Sequence, residues 1–304
     1  MRLLNASGCL DALTAPEVAR SFDAFVTKTV TPLPREGNAP VRIAETESGM
    51  LNAIGLANPG LDRFVGEHLP RLAGLGVPIW VSVGGFSTSD YAAMCAGLGR
   101  DDVAVIELNL SCPNVDEVPE NVGEVVAAAR AETATPLYAK LSPAVPDVAE
   151  TARAAAEAGA DGLSLVNTIR GLALDEGTLR PVLARGAGGL SGPALRPIAL
   201  AAVYACYRAT GLPIVGMGGV ASGRDALELL AAGASDIAIG TALFADPDAA
   251  GRIRVELAAE LASYAIATPD NAVGAAHRGE SPTLDQRSRV SGEKLLQMGI
   301  NMPG

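Results

Sequence analysis

Positive charge is scarce in this chain: 23 lysines and arginines stand against 34 aspartates and glutamates, a formal net charge of −11. A nucleic-acid surface needs a basic footprint, so this balance excludes one. An anionic ligand must then be gripped inside a pocket, by a few placed cations and backbone N–H groups. Histidine is scarcer still. His68 and His277 both sit in polar contexts and carry no catalytic expectation. The cysteines Cys9, Cys95, Cys112 and Cys206 include no Cys-x-x-Cys pair, which leaves an intrinsic zinc or iron–sulfur site without support. No apolar run reaches the roughly 18 residues that cross a bilayer. The first five residues are too short and polar for a signal peptide or membrane anchor, so cytoplasmic residence is expected. A Gly-x-Gly-x-x-Gly following an early strand is also missing, which counts against a doubly wound dinucleotide-binding sheet.

What is present fits one folded domain. Hydrophobic residues make up 49% of the 304 and charged residues 19%, and barrels of about 250 residues routinely stand as single domains. Short apolar runs occur at 2–5, 24–27, 79–83, 103–110, 137–141, 162–166, 213–215 and 237–239. Between them lie alanine- and leucine-rich segments of helical character at 15–22, 61–73, 88–97, 121–132, 147–158, 195–209, 224–232 and 247–264. This alternation marks parallel βα units. Eight of each predict an α/β fold, a (β/α)8 TIM barrel, as a single domain over 1–278. Residues 279–304 show no periodicity and are set apart as a tail. Two connections, 30–60 and 169–194, are long enough to cover a site on the barrel's C-terminal face.

The strand ends carry the chemistry. In order, the runs finish in Ser7-Gly8, Lys28-Thr29, Gly84-Gly85, Asn109-Leu110-Ser111-Cys112-Pro113-Asn114, Lys140, Asn167-Thr168, Gly218-Gly219 and Gly240-Thr241. Glycines after the seventh and eighth strands let backbone N–H groups approach a phosphate, and Gly192 ahead of a helix offers a further one. The plainer account of each is a tight βα turn. Lys28 and Lys140 end apolar strands, where an unpaired buried ammonium is costly unless an anion faces it or the chain reaches solvent. Asn52, Asn109, Asn114 and Asn167 offer paired donors and acceptors suited to an imide-like ring, although any one of them could simply form a turn. A cysteine is ordinarily inert core, and Cys9, Cys95 and Cys206 are expected to be so. Cys112, in a loop after a strand, is the candidate general base.

These motifs resemble the class 1 dihydroorotate dehydrogenases from about Asn5 to about Ala276. The most specific stretch is Asn109–Asn114, the family's catalytic-base loop, which carries cysteine where the membrane-bound class 2 enzymes carry serine. Thr27-Lys28-Thr29, Arg35-Glu36-Gly37-Asn38, Asn52-Ala53-Ile54-Gly55-Leu56, Asn167-Thr168, Gly189-Leu190-Ser191-Gly192, Gly216-Met217-Gly218-Gly219 and Ile239-Gly240-Thr241 support it in the same order. The resemblance implies FMN across the barrel mouth. Its phosphate would lie on Gly192, Gly218, Gly219, Gly240 and Thr241, and its remainder against Ser7, Lys28, Thr29, Asn109, Lys140 and Val166. Dihydroorotate, the precursor of orotate, would be held by Lys28, Asn52, Ile54, Gly55, Leu56, Asn109, Asn114, Asn167 and Thr168. Cys112 and Lys140 would be the catalytic pair, with loops 30–60 and 112–119 closing over the substrate. Asn167–Gly171 and Gly189–Ala194 look like class 1B, whose catalytic subunits work with a partner carrying FAD and a 2Fe–2S cluster. The alternative, class 1A, comprises homodimers that reduce fumarate, and the resemblance implies a homodimer here. Ser82, where class 1B commonly has asparagine, and the short segment before Asn5 depart from the pattern. A dihydropyrimidine dehydrogenase-type enzyme and a non-catalytic flavoprotein subunit stay open as alternatives.

Overall fold

The computed structural model describes residues 1–110 and 121–279. Twelve strands form there: β1 (Leu3–Asn5), β2 (Phe25–Val26), β3 (Ile43–Thr46), β4 (Gly49–Asn52), β5 (Ile79–Val83), β6 (Val105–Asn109), β7 (Leu137–Leu141), β8 (Gly162–Leu165), β9 (Ile169–Gly171), β10 (Gly188–Ser191), β11 (Ile214–Met217) and β12 (Asp236–Ile239). Eight of them pair in parallel in the order β1-β12-β11-β8-β7-β6-β5-β2. A parallel bridge between Leu4 and Ala24 closes the ring. The result is a (β/α)8 barrel, with each of the eight apolar runs in the sequence supplying one barrel strand.

Those runs read as nearly continuous apolar stretches because a parallel barrel strand is covered on both faces. Along β5, Ile79, Val81 and Val83 pack outward against the helices, while Trp80 and Ser82 point inward. Along β7, Leu137, Ala139 and Leu141 face out, and Tyr138 and Lys140 face in. The interior is filled at the N-terminal end by Leu4, Ala24, Val26, Trp80, Val105, Tyr138, Val215 and Ala238. The Trp80 and Tyr138 rings meet with centroids 4.8 Å apart. The Arg2 guanidinium lies 5.0 Å from the Trp80 centroid and pairs with Asp236 at 2.7 Å. Toward the C-terminal end the inward positions turn polar: Ser82, Glu107, Asn109, Lys140 and Ser164.

Four helices of ten or eleven residues begin where the sequence supplies caps. Ser87 and Asp90 form a reciprocal capping box, and Asn121, Asp147 and Ser222 each accept from a first-turn N–H.

The two long connections contain strands of their own. β3 and β4 from one, and β9 and β10 from the other, join in a four-stranded antiparallel sheet ordered β3-β4-β10-β9. Segment 30–60 is therefore tied down by strand pairing over part of its length. Its strands escape notice in the sequence because they are short and half-exposed, β3 alternating exposed and intermediate residues and β9 much the same. The tail from 280 onward lies outside the described residues.

Candidate active site

The C-terminal ends of the barrel strands surround a cavity of about 440 Å³. β9 starts four residues after β8 ends, so the antiparallel sheet rises from the same rim, and Ile43, Met50, Asn52 and Ser191 bring it onto the cavity wall. Every residue named from the sequence for cofactor or substrate lines this cavity, apart from two. Ser7, Lys28, Thr29, Asn52, Ile54, Gly55, Leu56, Asn109, Lys140, Val166, Asn167, Thr168, Gly192, Gly218, Gly219, Gly240 and Thr241 are all present. Cys112 and Asn114 lie outside the described residues, as does the loop 112–119.

One side of the cavity is a hydrogen-bonded net of side chains. Ser7 Oγ donates to Thr27 O at 2.9 Å and lies 3.3 Å from Thr29 Oγ1. Thr29 Oγ1 is 3.1 Å from Ser82 Oγ and accepts from Asn109 Nδ2 at 3.2 Å. Asn109 Oδ1 in turn accepts from Asn167 Nδ2 at 3.1 Å. From behind, Tyr91 OH donates to Asn109 O at 2.7 Å. The amide orientations are thus fixed by neighbours from β1, β2, β5, β6 and β8, which is how a planar ligand would find its partners already aimed. Ser82, the departure noted in the sequence, belongs to this net.

Two ammonium groups stand in the same wall. Lys28 passes over Gly8, whose φ of +80° and missing Cβ leave room for it: a methyl there would sit 3.0 Å from Lys28 Cδ. Lys140 is 6% exposed, and its Nζ lies 3.4 Å from Oε1 of Glu107, itself 1% exposed. The sequence alone reserves this lysine for a ligand anion and gives Glu107 no task. A signal for the pair is nonetheless there: Glu107 is a charge in the apolar run 103–110, two positions before Asn109 and hence on the same strand face. Ser164, opposite Lys140 in the β7–β8 register, carries the buried side-chain oxygen that lacks a hydrogen-bond partner among the described residues.

The opposite side of the cavity is backbone. Among the described residues no hydrogen bond is donated by the N–H groups of Gly192, Gly218, Gly219, Gly240 or Thr241. Gly192, Gly218 and Gly219 hold φ of +97°, +119° and +76°, where only glycine is comfortable. Short helical turns, Pro193–Leu195 and Ala242–Ala245, start directly after two of these amides. Thr241 Oγ1 donates to Ser191 Oγ at 2.8 Å. Such a cluster of unused donors suits a phosphate or other polyoxygen anion. The donor set therefore fits a phosphate-bearing ring cofactor: open amides at one end, aligned amide and ammonium side chains at the other.

Other features of this site depart from expectation or add to it. Cys9 was expected in the core but lies on the cavity wall, where a methyl added at Gly240 would sit 3.4 Å from its sulfur. Burial pushes its thiol up, against the pull of Lys140 and Lys28. Cys95 and Cys206 are core thiols as expected, both pushed up by burial to about 12. The Arg35–Asn38 motif acts through the cavity's edge: Asn38 donates from N to Ile54 O and from Nδ2 to Ala53 O, both at 2.9 Å, and Arg35 Nε reaches Gly55 O at 3.4 Å. Phe244 and Met217 add apolar surface to the wall. Neither histidine lines it. His277 stacks on Tyr204 at 4.0 Å.

A closed parallel barrel with such a cavity over its strand ends defines a cofactor-using barrel enzyme. Comparison with known proteins makes the class specific. The sequence model of the family described as dihydroorotate dehydrogenase matches residues 2–261, and the chain belongs to that family. A protein of Desulforudis audaxviator named dihydroorotate dehydrogenase B (NAD(+)), catalytic subunit, is 46% identical over 263 residues, covering 84% of this chain and 86% of the relative. One of the same name from Halalkalibacterium halodurans is 44% identical over 258 residues, covering 81% and 84%. Among solved structures, the Eimeria tenella dihydroorotate dehydrogenase in complex with ferulenol superposes with a TM-score of 0.77 over 91% of this chain and 85% of that one. At 24% identity that likeness speaks for the fold alone. No helix among the described residues is long and apolar enough to cross a membrane.

Proposed function

We propose that this chain is the catalytic subunit of an NAD-linked dihydroorotate dehydrogenase, which oxidises (S)-dihydroorotate to orotate with FMN on the route to pyrimidine nucleotides. The observation that carries the proposal is the division of one cavity into an open backbone cradle and a fixed wall of lysine, asparagine and threonine side chains. FMN, when bound, supplies the acceptor for the hydride leaving C6 of the substrate.

The chain's own residues do the rest. Gly192, Gly218, Gly219, Gly240 and Thr241 hold the phosphate. Ser7, Thr29, Asn109 and Val166 would hold the ring system, and the Lys140 ammonium would face it as the group that stabilises negative charge. Lys28 meets the substrate carboxylate, and Asn52, Asn114, Asn167 and Thr168 take up its amide and imide groups. Ile54, Gly55 and Leu56 close the apolar side and keep water out. Cys112 removes the proton from C5 as general base.

A decisive measurement is anaerobic mixing of the purified yellow protein with dihydroorotate, which should bleach the flavin within a single turnover. Preference for dihydrouracil would move the assignment to a dihydropyrimidine enzyme, and a flavin that neither substrate bleaches would make the chain a non-catalytic flavoprotein. The relatives' names include NAD(+) and catalytic subunit, which supports a partner electron-transfer subunit. In this reading the partner carries FAD and a 2Fe–2S cluster and assembles on a homodimer of this chain. Turnover with NAD⁺ only after the partner is added, and none with fumarate, is the expected acceptor pattern.

A further inference from the structure

None of these steps uses Glu107. Its carboxylate sits inside the barrel, 1% exposed, on the inward face of β6 and below Asn109. The strands flanking it offer Ser82 from β5 and Tyr138 from β7 as register partners. It pairs with Lys140 Nζ at 3.4 Å, one strand over and nearer the cavity. A carboxylate at this depth is expensive, and replacing both charges by apolar groups often costs nothing or even stabilises. A barrel filled below this level by Trp80, Val105 and Val215 has no packing need for it.

We propose that Glu107 is a positioning residue that keeps the charge on Lys140, so that a full ammonium, held at one place, faces the ring bound in the cavity. Burial disfavours the charged form of a lysine, so one stripped of its counter-charge holds its proton less firmly. Among the described residues, the other titratable groups facing Lys140 offer no substitute. Burial pushes both the Cys9 thiol and the Tyr138 phenol up, which disfavours the anion that either would need to be. Lys28 bears the same sign as Lys140 and would push its proton away. Of these neighbours, Glu107 is the one that can hold it.

This role presupposes the flavin proposed for the cavity, and its test reads the flavin without turnover. Sulfite adds to N5 of an oxidised flavin and bleaches it, with an affinity that rises with positive charge near N1/O2. In the Glu107→Gln holoprotein, sulfite affinity at pH 8.5 should fall at least tenfold below wild type and return to within threefold at pH 6, since acid restores the ammonium. Glu107→Asp, which keeps the charge on a shorter arm, should recover most of the loss. A Glu107→Gln curve that runs parallel to wild type from pH 6 to 9, whether lowered or not, would overturn the proposal. If Glu107→Gln does not fold, the substitution is read in a Lys140→Met background, where neither charge remains. Sulfite affinity equal to Lys140→Met alone then supports it, and a further loss overturns it, because Glu107 would be acting through something other than the lysine. A wild-type protein that purifies without flavin would instead sink the cofactor assignment and leave the ion pair without a task.

Discussion

Under the proposed function, the two ends of the cavity bind an anion by opposite means. At β10, β11 and β12 the donors are amides on a backbone that already occupies its final conformation, with glycines making the approach close. At β1, β2, β6 and β7 the donors are long side chains fixed by one another, Lys140 by Glu107 and Asn109 by Thr29, Asn167 and Tyr91. A backbone cradle grips and does not change during a reaction. A side-chain wall can strengthen its hold as charge develops, which is where rate acceleration comes from. The first end should therefore govern affinity for the cofactor, and the other should govern speed.

Substitutions at either end put that contrast at risk. The largest effect is expected from Cys112→Ala: flavin reduction by dihydroorotate slows about 10²–10⁴-fold, the span of a lost general base, with FMN retained. Stopped-flow reduction checks it, and an unaltered rate would take Cys112 out of the reaction. Lys140→Met should slow the same step about 10²–10³-fold while the cofactor still co-purifies. A colourless protein that works normally once FMN is added would reverse the roles of the two ends. At the cradle, Gly240→Ala is a clean probe, because its Cβ would meet only ordinary contacts at 3.4 Å with Ala6 and Cys9. By holding a phosphate back from the amide N–H, the added methyl should weaken FMN binding by roughly tenfold, about the worth of one charge-assisted hydrogen bond, and leave reduction of the bound flavin close to wild type. Equal damage to affinity and rate would erase the distinction. The smallest effect belongs to the barrel floor, away from both ends. Asp236→Asn weakens the pair with the half-exposed Arg2 and should lower stability by about 1 kcal/mol or less in thermal melts, with FMN affinity and reduction rate unaltered.

How much of this is legible in the sequence divides along the same lines as the packing. Barrel strands such as Ile79–Val83 and Leu137–Leu141 are buried throughout, so their apolar runs stand out, and a polar residue at each end marks the rim. β3 and β9 are three or four residues long, half-exposed and held in a sheet whose β4–β10 pairing spans over a hundred positions, and nothing local in Ile43–Thr46 or Ile169–Gly171 announces a strand. Cavity residues that end a strand are readable, because position and chemistry coincide there. Glu107 and Cys9 are harder to read, for converse reasons. Glu107 is hidden inside a strand, where inward and outward residues differ only by parity. Cys9 passes for any small apolar residue until the fold places Gly240 beside it.

The antiparallel sheet carries a consequence for the order in which the molecule matures. Asn52 in β4 donates to Gly189 O in β10 across 137 positions, and the pairing from Asn52 to Met50 against Gly189 to Ser191 stitches the first third of the chain to the second half. Closing so distant a contact comes late in folding, after local βα units have formed. The ribosome must therefore release the chain past Ser191 before the mouth can be finished. A nascent or truncated chain that stops short of that point would own several barrel strands and have nowhere to keep its ligand.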